Sequence, residues 1–206
     1  MSKPCYQQDG DTCGYWCTRI AVEILLGRKF KGDELTRFKE YKAMCSEKGV
    51  TLFTSCVRFQ KYFPELKVNF DNVESDGKFS SGHITKELDK PNTVCLLNMQ
   101  NMDFKRNTFV ENQKDNYGHN VCCYGYDETN FLIQDSNKYS NRCKKTLTRE
   151  LVETGYKKYV GADLTKVLKL NKTVFHVSEV VAVYLGEPRE KATVVRRSRR
   201  RRPLKL

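Results

Sequence analysis

Helical periodicity crowds the first third of this chain and strand patterns fill most of the remainder, and that order restricts the fold more than any other feature. Thr12 or Asp11 can cap a helix from Cys13 to about Leu26. Trp16, Ile20 and Ile24, with Cys17, Ala21 and Leu25, form one apolar stripe on it, and Gly27 ends it. DELTRFKEYKAMCSEKG predicts a second helix with Asp33 as cap and Gly49 as stop, and Thr51 to about Phe63 a third, closed by Pro64. Beyond these, LKVNF, TVCLLNM, NVCCYGY, NFLIQD and VFHVSEVVAVYL read as strands, interrupted by helices near Ile84 to Leu88 and Thr148 to Tyr159. Helices followed by mostly antiparallel strands make an α+β class, with two unlike layers and a groove between them. No internal repeat is present.

With 206 residues the chain can build one sizeable core, and 39% hydrophobic residues suit a globular protein. No apolar run approaches the roughly 20 residues of a membrane helix, so no membrane span is expected. MSKPCYQQDG lacks the apolar stretch of a secretory signal, which predicts an intracellular protein of cytoplasm or nucleus, or one carried in a virion. The nine cysteines are odd in number, and Cys45, Cys56 and Cys95 sit in apolar patterns, as reduced core thiols do. Zinc is not expected: no CxxC pair exists, and adjacent Cys122 and Cys123 on a strand point to opposite faces.

The net charge of +12 is concentrated at one end. From Pro188 to Leu206, seven arginines and two lysines stand against Glu190, a net of +8, which leaves +4 for residues 1–187. The expected organisation is therefore a domain over 1–187 and a disordered Arg-rich tail over 188–206. Arg196, Arg197, Arg199, Arg200, Arg201 and Arg202 are six arginines within seven residues, a block that binds nucleic acid or another polyanion by counterion release, or serves as an import signal.

Chemistry enters through residues 118–137. NVCCYGY and NFLIQD flank the turn GYDET and predict a hairpin. With the loop running from Gly125 to Thr129 the register centres on Asp127, so His119 falls opposite Asp135, at a β-carbon spacing of about 4.5–5.5 Å. A carboxylate so placed orients the imidazole and steadies its protonated form. A slipped register brings Asn137 to the same place. Cys13, at a predicted helix N-terminus where backbone N–H groups favour negative charge, would become a thiolate beside a histidinium. Attack on an amide also needs oxyanion donors, which the Cys13 N–H and the side-chain amide of Gln7, with Gln8 as the alternative, would supply. The other two histidines, His83 near a helix start and His176 inside a strand, read as structural.

Gln7, Cys13-Gly14, Gly118-His119 and Asp135, in that order, resemble the papain-like cysteine peptidase superfamily over most of residues 5–185. GYDETNFLIQDSN followed by TRELVETGYKKY is similar to bacteriocin-leader-processing peptidases, GHNV and IQDSN to YopT-type effector proteases, and QQDGDTCGYWC to the glutamine-to-cysteine block of SUMO-type and adenovirus-type proteases. The resemblance implies a helical N-terminal lobe packed on a β-sheet lobe. It also implies a thiol hydrolase without cofactor, acting on a peptide or isopeptide bond of a protein or peptide substrate through a thioester. An acyltransferase or amidase would use the same chemistry. The rival class is a nucleic-acid-binding or virion structural protein on a degenerate peptidase fold.

Overall fold

The computed structural model describes residues 6, 12–44, 51–72, 79–100, 102–103, 108–109, 118–136, 144–161 and 176–186. Three helices lead: α1 (Cys13–Leu26), α2 (Asp33–Met44) and α3 (Leu52–Gln60). There follow β1 (Leu66–Asn72), α4 (Ser81–Leu88), β2 (Thr93–Gln100) and the two-residue strands β3 (Met102–Asp103) and β4 (Thr108–Phe109). The chain continues through β5 (Gly118–Tyr126), β6 (Asn130–Gln134), β7 (Lys144–Thr148), α5 (Arg149–Gly161) and β8 (His176–Leu185). The class is α+β, and the predicted helix over 13–26 matches α1 residue for residue.

The N-terminal helices form because apolar positions recur at helical spacing and their ends carry the right residues. Gly27 takes the left-handed conformation at φ 66° and returns its N–H to Ile24 O, closing α1. Thr51 caps α3 by accepting from Thr54 N. Asp33, expected as a cap, is instead the first helical residue of α2, beside Glu34 in the positive first turn. Residues 45–50, which include the expected stop at Gly49, lie outside the described residues.

Six strands make one sheet in the order β1-β8-β2-β5-β6-β7, every neighbouring pair antiparallel. Alternate residues of its central strands serve two cores. Val94, Leu96, Cys122, Val181 and Val183 pack with Ile20, Ala21, Phe38, Tyr41 and Phe59 of α1, α2 and α3. Cys95, Leu97, Val121, Cys123, Val180 and Ala182 pack with Ile84 of α4 and Val152 and Tyr156 of α5. Helices therefore cover both faces, giving three layers where two were expected. The continuous apolar runs TVCLL and VVAV are the physical reason, since only a strand buried on both sides carries them.

The hairpin register also differs from expectation. Asp127 accepts at Oδ1 from the backbone N–H groups of Thr129 and Asn130, tying the turn so tightly that Tyr126 pairs with Phe131 and Gly125 with Leu132. A bulge at Tyr124 then shifts the ladder to Cys123–Ile133 and Cys122–Gln134. Asp127 begins the turn; it is not its centre. Three strands escaped the sequence reading altogether: β7 in the main sheet, which is short and lysine-rich, and the β3–β4 pair beside it. No helix among the described residues is long and apolar enough to cross a membrane.

Candidate active site

Cys13 opens α1, so its sulfur stands at the positive end of a 14-residue helix. Gly14 makes room for what approaches it. A β-carbon there would lie 3.2 Å from Ser55 Oγ of α3 and 3.4 Å from Asn120 Nδ2 of β5, so a glycine lets α3 and β5 close on the first turn. The Asn120 amide in turn reaches Cys13, its Nδ2 3.4 Å from the sulfur.

His119 and Asp135 meet although they are not opposed in the ladder. Its last pair is Cys122–Gln134, and Asp135 is the first residue past it, reaching His119 across the open end of the hairpin. His119 Nε2 is 2.7 Å from Asp135 Oδ1. The same ring also interacts with Cys13, by hydrogen bond and by charge. Cys13, His119 and Asp135 thus form one relay from helix start to sheet, the three residues singled out in the sequence.

The relay continues to a residue that sequence reasoning missed. Lys145 of β7 places Nζ 2.8 Å from Asp135 Oδ2, so each carboxylate oxygen faces a cationic group. Lys145 is paired with Ile133, two residues from Asp135, a diagonal within reach of a long side chain. Asn120 was missed as well. A polar residue alternating with core-facing Cys122 was its signal, whereas Lys145 left none because β7 itself was not recognised.

Burial and hydrogen bonding compete at each member. Burial favours the neutral thiol at Cys13, but the hydrogen bond and charge of His119 and the backbone and side-chain donors of Asn120 outweigh it and lower its pKa. Burial likewise opposes the imidazolium of His119. Hydrogen bonds to Asp135 and Cys13, with their charges, overcome it and raise the ring to about 9. Asp135, whose side chain is wholly buried, is held down to about 2 against its own desolvation by His119 and Lys145. Four other described thiols go the opposite way. Burial pushes Cys56 and Cys123 up to about 12 and raises Cys17 and Cys95 well above their ordinary range. A thiol made more acidic beside an imidazole made more basic, among thiols that burial keeps protonated, is chemistry suited to nucleophilic attack.

Gln7 and Gln8, the oxyanion candidates, Asn137, the alternative third member, and the six tail arginines lie outside the described residues. The residue before Gln7 is firmly held. Tyr6 donates to the buried carboxylate of Glu23 on α1 at 2.7 Å, and the same carboxylate receives Arg19 Nε and Phe30 N at 3.0 Å.

A crystal structure from Bacillus anthracis described as a C39-like peptidase superposes with a TM-score of 0.50 at 12% identity, covering 91% of this chain and 96% of the other. The fold is papain-like. The Pseudomonas avirulence protein AvrPphB is aligned over 88% of this chain and 96% of its own, at a TM-score of 0.33 and 12% identity. No protein-family model matches the sequence, and no curated protein matches it closely.

Proposed function

We propose that the protein is a cysteine peptidase that cleaves a peptide or isopeptide bond of a protein substrate. The observation carrying this reading is the Cys13–His119–Asp135 relay, in which the thiol's pKa is lowered although the group is buried. Cys13 is the nucleophile. Its thiolate attacks the amide carbonyl, and the carbonyl's π electrons move to oxygen, where the Cys13 N–H and Gln7 donate to the oxyanion. On collapse the C–N bond breaks and the amine leaves with the proton of His119, giving a thioester. Neutral His119 then takes a proton from water, whose oxygen attacks the thioester, and Cys13 departs as the thiolate. Asp135 holds the ring through Nε2 and stabilises its charge in both steps.

The deciding experiment is limited iodoacetamide treatment at pH 6 with mass spectrometry of each cysteine, together with cleavage of a peptide library. Cys13 should label first among the nine cysteines, and Cys13→Ala should abolish cleavage with the fold intact. Labelling of Cys13 no faster than of Cys17 would defeat the proposal. Transfer of the acyl group to an amine instead of water would turn the reading to an acyltransferase.

A second activity is favoured by the charge partition. The +8 of residues 188–206 suits binding to nucleic acid, beside the peptidase domain and independent of its thiol. An intracellular location, in cytoplasm or nucleus, goes with both readings.

A further inference from the structure

The peptidase reading leaves one close contact unused, that of Lys145 with Asp135. The carboxylate is wholly buried, and its two oxygens are held from opposite sides, Oδ1 by His119 Nε2 at 2.7 Å and Oδ2 by Lys145 Nζ at 2.8 Å. The Lys145 side chain is itself only 17% exposed, so little water competes for it. We infer that Lys145 is a positioning residue of the active site: it fixes the plane of the Asp135 carboxylate and shares its charge, so that His119 faces one oxygen of a divided anion and not the whole of it. The inference rests on the peptidase reading for its purpose, though not for its test.

The division matters because His119 has two duties that conflict. It must hold a proton to keep Cys13 ionised, and it must surrender that proton to the leaving amine. A general acid works best when its pKa lies near the working pH, and a buried aspartate answering to the imidazolium alone would bind the proton too firmly. His119 already titrates at about 9, well above its ordinary 6.5. A second cation on the same carboxylate restrains that rise. Four places in the chain bring titratable groups to this cluster: α1 supplies Cys13 and Cys17, β5 supplies His119 itself, the residue after β6 is Asp135, and β7 supplies Lys145. Cys17 is held neutral by burial, so the charges that decide the proton's position are those of Cys13, Asp135 and Lys145.

A titration of the histidine ring protons by NMR tests this without any substrate. The chain has three histidines, and His119→Ala identifies the signal that matters. Lys145→Met should move the His119 titration upward by about one unit, as expected when a like charge is withdrawn from a buried cluster. Lys145→Arg should leave it close to the unaltered protein, because the cation persists. The amide spectrum away from β5, β6 and β7 should be unaltered and report that the fold is unchanged. An unshifted or lowered His119 in Lys145→Met overturns the inference: no shift means that Lys145 serves the strand alone, and a fall means that His119 depends on Lys145 for its contact with Asp135 and not for restraint. If Lys145→Met does not fold, Lys145→Gln carries the same test, since it keeps a donor and loses the charge. Failure of the peptidase reading would show separately, as absence of selective Cys13 alkylation in the unaltered protein.

Discussion

Asn120 Nδ2 lies 3.4 Å from Cys13 Sγ, while the Oδ1 atom of the same buried amide has no hydrogen-bond partner among the described residues. One end of the side chain serves the nucleophile and the other is left unsatisfied. An unsatisfied buried acceptor costs about 1–3 kcal/mol, and a hydrogen bond to a charged group contributes about 1.5–3 kcal/mol only when the charge is present. The amide therefore favours the thiolate more than it favours the fold. Asn120→Ala should raise the pKa of Cys13 by about one unit, seen as a shift of the alkylation profile toward alkaline pH, with Tm little changed. A large loss of Tm with the alkylation profile in place would mean that Asn120 is a structural residue.

Asp135→Asn should be more damaging here than loss of one charge suggests. The amide oxygen can accept from His119 Nε2, but the amide N–H₂ then faces Lys145 Nζ, donor against donor. Breaking a largely buried pair in this way should cost about 2–4 kcal/mol of stability. Adding Lys145→Met to Asp135→Asn should recover much of it, which chemical denaturation of the two variants would measure. Equal stability of the single and double variants would show that the Lys145–Asp135 contact contributes nothing to the fold.

The parts of the fold legible in the sequence were those set by local pattern. Cys13 to Leu26 carries one apolar stripe and ends in a glycine that must take positive φ, so α1 could be read to the residue. His119 and Asp135 were found together for a partly mistaken reason. The register centred on Asp127 is displaced by the turn that Asp127 itself ties and by the bulge at Tyr124, yet both side chains meet past the end of the ladder. A bulge is a tertiary accommodation with no sequence period of its own. Lys145 was illegible because KKTLT carries only one buried apolar residue, Leu147, and its pairing with β6 is a long-range fact. The second helical layer was present in the continuous apolar runs of β2 and β8, whose two-sided burial the runs themselves demand.

Removal of residues 188–206 should abolish most binding to DNA or RNA and flatten its dependence on salt, since +8 of the +12 is lost with it. Cys13 alkylation should be unaffected. Titration of labelled oligonucleotide at several salt concentrations, with the full chain and the truncated one, reads both effects. An unchanged salt slope in the truncated protein would locate the polyanion site on the domain.

The relay also fixes how stability should respond to pH, and the response should change when the thiol is removed. His119 has a folded pKa of about 9 against an ordinary 6.5, so its contribution is complete below 6.5 and is lost as pH rises through 9. Cys13 is shifted the other way. Its lowered pKa contributes stability that is fully present above its ordinary value of 9.0 and is lost as pH falls through the folded value. Wherever Cys13 is ionised in the folded protein and protonated in the unfolded chain, it has released the proton that His119 has kept, and the two slopes cancel. Asp135, at about 2 when folded, is ionised in both states over this range and adds no slope. Over the part of the range from pH 6.5 to 9 in which Cys13 is ionised in the folded protein, the pair should therefore leave stability nearly flat. Cys13→Ala removes one half of the cancellation, while Asp135 still holds the His119 ring charged. Its stability should fall as pH rises from 6.5 to 9, by about 1.4 kcal/mol for each unit by which the His119 pKa remains above 6.5. Urea denaturation of both proteins at pH 6 and pH 9 measures the difference, and a Cys13→Ala variant as insensitive to pH as the unaltered protein would mean that Cys13 and His119 do not share a proton.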